Sequence, residues 1–83
     1  MTSSKFTGVL ELIDELNDDS SIPKNVRSKL SEISESIKGG EDDSIKVHKS
    51  LNVLEEITED SNLQAYTRTQ IWNIVSLLES LDQ

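Results

Sequence analysis

The chain repeats itself at a constant offset of 41 residues, and this register constrains the fold more than any other feature. Residues 10–37 align with residues 51–78 without a gap. Six pairs are identical: Leu10/Leu51, Glu15/Glu56, Asp19/Asp60, Ser20/Ser61, Arg27/Arg68 and Ile33/Ile74. Others keep their character, such as Ile13/Leu54, Leu16/Ile57, Ile22/Leu63, Leu30/Ile71 and Ile37/Leu78. A period near 40 is that of two-helix repeats.

The apolar pattern has the helical period throughout. Phe6, Val9, Leu10, Ile13 and Leu16 form a first stripe, widened by Leu12 and ended by Asn17-Asp18-Asp19-Ser20-Ser21. Ile22, Val26, Leu30, Ile33 and Ile37 form a second. Ser21 is the expected N-cap of that helix, and Pro23 suits its first turn. Gly39-Gly40 is the strongest break, with Gly39 expected as a C-cap that can take positive φ. A third helix is expected from Asp42 or Asp43, with Val47, Leu51, Leu54 and Ile57 as its stripe and Ile45 and Val53 beside it. The fourth runs from about Leu63 to Leu81, with Leu63, Thr67, Ile71, Ile74, Leu78 and Leu81 as its stripe. The expected fold is therefore all-α: one domain over residues 1–83, with four helices as two tandem antiparallel hairpins divided at residues 39–40. Either a HEAT-like pair or a compact four-helix bundle meets this pattern.

What the copies share is polar as well as apolar. Asp14, Glu15, Asp18 and Asp19 align with Glu55, Glu56, Glu59 and Asp60, at the end of each odd helix. Carboxylates there oppose the helix dipole, at a cost of roughly 0.3–1 kcal/mol each. In an antiparallel hairpin Arg27 falls level with Glu15 or Asp19, and Arg68 with Glu56 or Asp60. These six residues are expected to form two arginine–carboxylate corner clamps. Displayed instead, the corners would face a basic protein or a cation. Neither turn fits the twelve-residue calcium loop, so no metal site is expected.

What the copies do not share is concentrated in the fourth helix. Ser31, Ser34 and Ser36 become Trp72, Val75 and Leu77. Two readings follow: the fourth helix is the inner one, covered by the other three, or part of it meets a partner or a second subunit. Trp72, Val75, Leu77 and Tyr66 are the candidate interaction residues, Trp72 serving as a core residue at a helix crossing or as an interface anchor.

Composition narrows the classes. A chain of 83 residues makes one small domain, burying roughly 60% of its unfolded surface. Its formal charge of −8, from 16 acidic and eight basic side chains, repels phosphate and anionic lipid. Direct nucleic-acid or membrane binding is therefore not expected, while a basic protein partner suits the charge. Without cysteine there is no disulfide or thiol chemistry, and His48 is the only histidine. No histidine triad, Glu-x-x-His dimetal motif or phosphate loop is present, and no cofactor is expected. No stretch approaches the roughly 20 apolar residues of a membrane span, and the N-terminal residues lack a signal-peptide apolar core. The expected location is cytoplasmic.

Two runs carry a resemblance over nearly the whole chain. One is Asp19, Ile22, Pro23, Asn25, Val26 and Arg27. The other, more specific, is Arg68, Thr69, Ile71, Trp72, Asn73, Ile74, Val75, Ser76, Leu78 and Glu79. In these the chain resembles UPF0147, a family of small archaeal proteins of uncharacterised function. The resemblance implies a short, acidic, all-helical, cytosolic protein and brings no activity or cofactor with it.

The expected function is non-enzymatic: a protein-interaction or scaffold module, with homo-oligomerisation through helix four as one use of its apolar face. The alternative is an accessory subunit of a nucleic-acid-associated complex that touches basic protein surfaces. A cation-dependent enzyme is the third reading.

Overall fold

The computed structural model describes residues 4–60 and 62–81. Ser61, counterpart of Ser20 in the acidic turn, lies outside them. After a single 3₁₀ turn at Ser4–Phe6 come four helices: α1 (Thr7–Asn17), α2 (Lys24–Lys38), α3 (Asp43–Thr58) and α4 (Ala65–Leu81). Among the described residues there is no strand.

The even helices bury the same register. Val26, Leu30, Ile33 and Ile37 are buried on α2, and Thr67, Ile71, Ile74 and Leu78 on α4, each pair 41 residues apart. Their spacings of three and four hold one stripe against the core. The odd helices add Val9, Ile13 and Leu16 from α1 and Val47, Leu54 and Ile57 from α3. Phe6, Ile22 and Leu63 close the ends of one continuous core.

The helices form a ring. α1 touches α2 and α4, and α3 touches the same two. A two-repeat solenoid would leave α1 and α4 apart, so their contact makes this a closed four-helix bundle. Its long dimension is 33 Å, which the 17 residues of α4 nearly span, at about 25 Å. The duplication thus pairs hairpin with hairpin across a pseudo-two-fold relation, in which α2 against α3 corresponds to α4 against α1.

The connections repeat as well. Asp18 N–H donates to Asp14 O, Asp19 N–H to Leu16 O and Ile22 N–H to Asp19 O. At the second corner Glu59, Asp60 and Leu63 make the same three bonds to Glu55, Ile57 and Asp60. In each corner the aspartate side chain then accepts from the main chain two residues on. Asp19 Oδ1 takes the Ser21 N–H at 2.9 Å, and Asp60 Oδ1 takes the Asn62 N–H at 2.9 Å. This Asx turn is the structural reason for an aspartate at both positions.

Local details depart from the sequence expectation. Ser21 does not cap α2: its hydroxyl donates to Asp19 Oδ1 at 2.6 Å, and Pro23 is the residue at the N-cap. With φ −55° and ψ 144°, Pro23 turns its carbonyl toward the N–H groups of Val26 and Arg27. Gly39 ends α2 with φ −75° and ψ −175°, an extended conformation rather than a left-handed one. On α3 the buried face is rotated from the expected stripe. Lys46 and Ser50 are buried, Leu51 and Val53 are half-buried, and Ile45 is exposed. Lys46 is only 4% exposed because its stem packs inward and its ammonium sits 5.8 Å from the centre of the buried Phe6 ring.

Nor is α4 enclosed. It is one side of the ring, and Trp72 is 52% exposed, Tyr66 60% and Leu77 39%.

Candidate functional site

The widest departure between the copies surrounds Trp72. A groove of about 250 Å³ runs between α3 and α4, lined by Leu51, Glu55 and Thr58 on one wall and Trp72, Val75 and Glu79 on the other. Leu51 and Val75 are partly buried against the core, so its floor is apolar. Glu55 and Glu79 are exposed and stand on opposite walls. One end is fixed by Arg68, whose Nη1 donates to Thr58 O at 2.7 Å and Nη2 to Asp60 O at 3.1 Å. Thr58 O belongs to the last turn of α3, which the helix itself leaves without a donor, and Asp60 O lies in the turn beyond, where it also accepts from Leu63 N–H.

The same face of the first hairpin is built differently. Its recess, about 290 Å³, is lined by Asn17, Lys24, Arg27, Ser28 and Ser31. Ser31 takes the place of Trp72 and Asn17 that of Thr58. Asn17 Nδ2 donates to Ser31 Oγ at 3.4 Å, a weak bond across α1 and α2. One groove is apolar with acidic borders; the other is polar, with two cations and no carboxylate.

The corner clamps take another form than the expected ion pairs. Arg68 does tie α4 to the end of α3, but through main-chain oxygens. Among the described residues Arg27 has no such bonds, and its Nε is buried without a hydrogen-bond partner. It acts on Asp19 only through its charge. Asp19 titrates below the usual aspartate range, chiefly because Ser21 donates to it from hydroxyl and main-chain N–H, with the Arg27 charge adding to this. Glu15 is exposed on α1. Glu56 reaches away from its own hairpin, pairing with Lys29 of α2 at 3.2 Å. Asp60 contributes its carbonyl to Arg68 and its carboxylate to the turn.

The four candidate interaction residues do not form one patch. Trp72 and Val75 border α3. Leu77 borders α1, its Cδ1 lying 3.9 Å from where a Cβ on Gly8 would stand. Tyr66 shares the flank of Leu77, three turns earlier in α4. A Cβ at Gly8 would meet Leu77 only at ordinary van der Waals distance, so Leu77 lies over α1 without depending on the glycine. In the corresponding α2–α3 groove Ser36 and Lys49 occupy these places. The sequence names these four residues together but cannot divide them, because the division depends on which neighbour each flank of α4 meets.

Glu55 and Glu79 were missed as borders of the groove. Helical register places Glu79 seven residues after Trp72, on the same flank. His48 is exposed and has a partner. Among the described residues no group of three or more His, Cys, Asp or Glu could hold a metal ion, and no helix is long and apolar enough to cross a membrane.

Comparison with known proteins is consistent across sequence and structure. Residues 1–81 match the model of the uncharacterised protein family UPF0147. A UPF0147 protein of Archaeoglobus fulgidus is 40% identical over 81 residues, covering 98% of this chain and 93% of the relative. One from Methanocaldococcus jannaschii is 38% identical over 73 residues, covering 87% and 78%. A crystal structure of a UPF0147 protein from Thermoplasma acidophilum superposes with a TM-score of 0.89 at 33% identity, covering 93% of this chain and 92% of that one.

Proposed function

The chain belongs to the uncharacterised protein family UPF0147, and on that premise we propose that it is a non-enzymatic protein-interaction module of the cytosol that docks a partner in the α3–α4 groove. The observation that carries this reading is Trp72. A tryptophan that is 52% exposed keeps a large apolar surface in water, where it contributes little to the fold. Beside it the half-buried Leu51 and Val75 continue the apolar surface into the groove. Tryptophan anchors in apolar pockets dominate binding energy at protein interfaces. The first hairpin, with Ser31 at the same position, folds without such a group.

The test is affinity purification of the tagged protein from its native cell, with Trp72→Asp in parallel. The expected result is a partner retained by the parent chain and lost from the variant, with unchanged helical circular dichroism. Equal recovery with both chains would refute docking at Trp72.

A further inference from the structure

We infer that the occupant of the α3–α4 groove is an amphipathic helix with Lys or Arg on both borders of its apolar stripe, supplied by a partner protein. This rests on the docking role proposed above and adds the chemistry of the partner. A helix lying in a groove between two helices presents apolar residues at three- and four-residue spacing to the floor and its flanking residues to the walls. The walls here are Leu51 to Thr58 and Trp72 to Glu79, each about two turns or 10 Å long. Contact over two turns requires two or three apolar side chains, which Trp72, Val75 and Leu51 would cover.

Charge selects the borders. Glu55 stands on the α3 wall and Glu79 on the α4 wall, so a basic residue on each side of the stripe meets a carboxylate. α4 carries one basic residue, Arg68, and its guanidinium is already committed to two carbonyls. The groove therefore brings no cation of its own to these acids. The same argument disfavours a second copy seated groove to groove. Two chains of formal charge −8 would bring Glu55 and Glu79 against like carboxylates, and like charges opposed across an interface suppress pairing.

Trp72 is the only tryptophan and reports its own surroundings. The test uses two short tryptophan-free helical peptides of identical leucine pattern, one with lysine at all polar positions and one with glutamate. Each is titrated into the protein at physiological salt while Trp72 emission is followed. The lysine peptide is expected to give a saturable blue shift, and the glutamate peptide none. In E55K/E79K, both changes being at exposed positions, lysine-peptide affinity is expected to fall about tenfold or more, equivalent to about 1.4 kcal/mol. An undiminished affinity in E55K/E79K would mean that these two carboxylates do not select the peptide, and would overturn the inference. Equal shifts with both peptides would overturn the charge selection while leaving docking at Trp72 intact. No shift with either peptide would overturn the inference and count against the docking role itself. A blue shift that grows with protein concentration, without peptide, would assign the groove to a second copy instead.

Discussion

The two hairpins solve one folding problem with the same residues and part company where folding no longer demands anything. Both bury an apolar register at offset 41, and both turn on an aspartate that accepts from the main chain two residues later. Their outward grooves differ in nearly every property. The first is crossed by a weak Asn17–Ser31 bond and edged by Lys24 and Arg27. The second holds Trp72 over an apolar floor with Glu55 and Glu79 at its borders. A duplicated chain thus separates two kinds of constraint. The buried positions the copies share serve the bundle, and the outward positions where they differ most, Trp72 against Ser31 above all, are free to carry a task.

The most damaging way to break the comparison is through the shared core. Ile33 and Ile74 are identical in sequence and fully buried. Replacing either by Ala is expected to cost about 2–5 kcal/mol, and both by similar amounts, because one core serves both hairpins. Chemical denaturation measures this. A loss below 1 kcal/mol at one site alone would mean that the hairpins do not share a core.

The arginines test where the copies diverge while keeping the same residue. Arg68→Ala removes two charge-assisted bonds to main-chain carbonyls of the α3 end and the turn after it, and is expected to cost about 1.5–3 kcal/mol. Arg27→Ala removes no such bond and is expected to cost under about 0.5 kcal/mol. Equal losses in urea denaturation would show that Arg27 clamps its corner in the same way.

Trp72→Ser restores the residue of the first copy. With half its surface already in water, the change is expected to cost at most about 1 kcal/mol. A larger loss would place the indole in the core and remove the contrast between the grooves.

The smallest effect concerns pH. The hydrogen bonds from Ser21 favour the ionised form of Asp19, and the Arg27 charge favours it further. This contribution to stability is present above the pKa of an unfolded aspartate and is lost as pH falls through the lower folded value. In an NMR titration, Ser21→Ala is expected to raise the Asp19 pKa toward the ordinary aspartate range. No movement would mean that the turn bonds do not hold the charge.

Much of the architecture is legible in the sequence because it rests on periodicity. The stripes of α1, α2 and α4, the break at Gly39-Gly40 and the even-helix correspondence follow from spacing alone. Closure into a bundle does not, because it depends on α1 meeting α4, and no local pattern encodes that contact. The rotated face of α3 was hidden for a related reason: Lys46 is charged and Ser50 small, yet packing against Phe6 and α2 makes both inward positions. The shared register of Arg27 and Arg68 puts both near the corners, but residue type could not reveal that Arg68 takes main-chain carbonyls rather than carboxylates as acceptors. Of the site, Trp72 and Val75 were legible as the substitution of serines by apolar groups. Their separation from Leu77 and Tyr66, and the part of Glu55 and Glu79, required knowing which helix lies on each flank of α4.

The central claim is that Trp72 is held out to solvent by a bundle that does not need it for its fold. Iodide and acrylamide quenching of its fluorescence in the isolated protein, followed across a dilution series, tests this most directly. The account predicts a solvent-like emission, open to both quenchers and unchanged on dilution. A blue-shifted emission protected from both quenchers in the dilute monomer would contradict it, since the indole would then belong to the core.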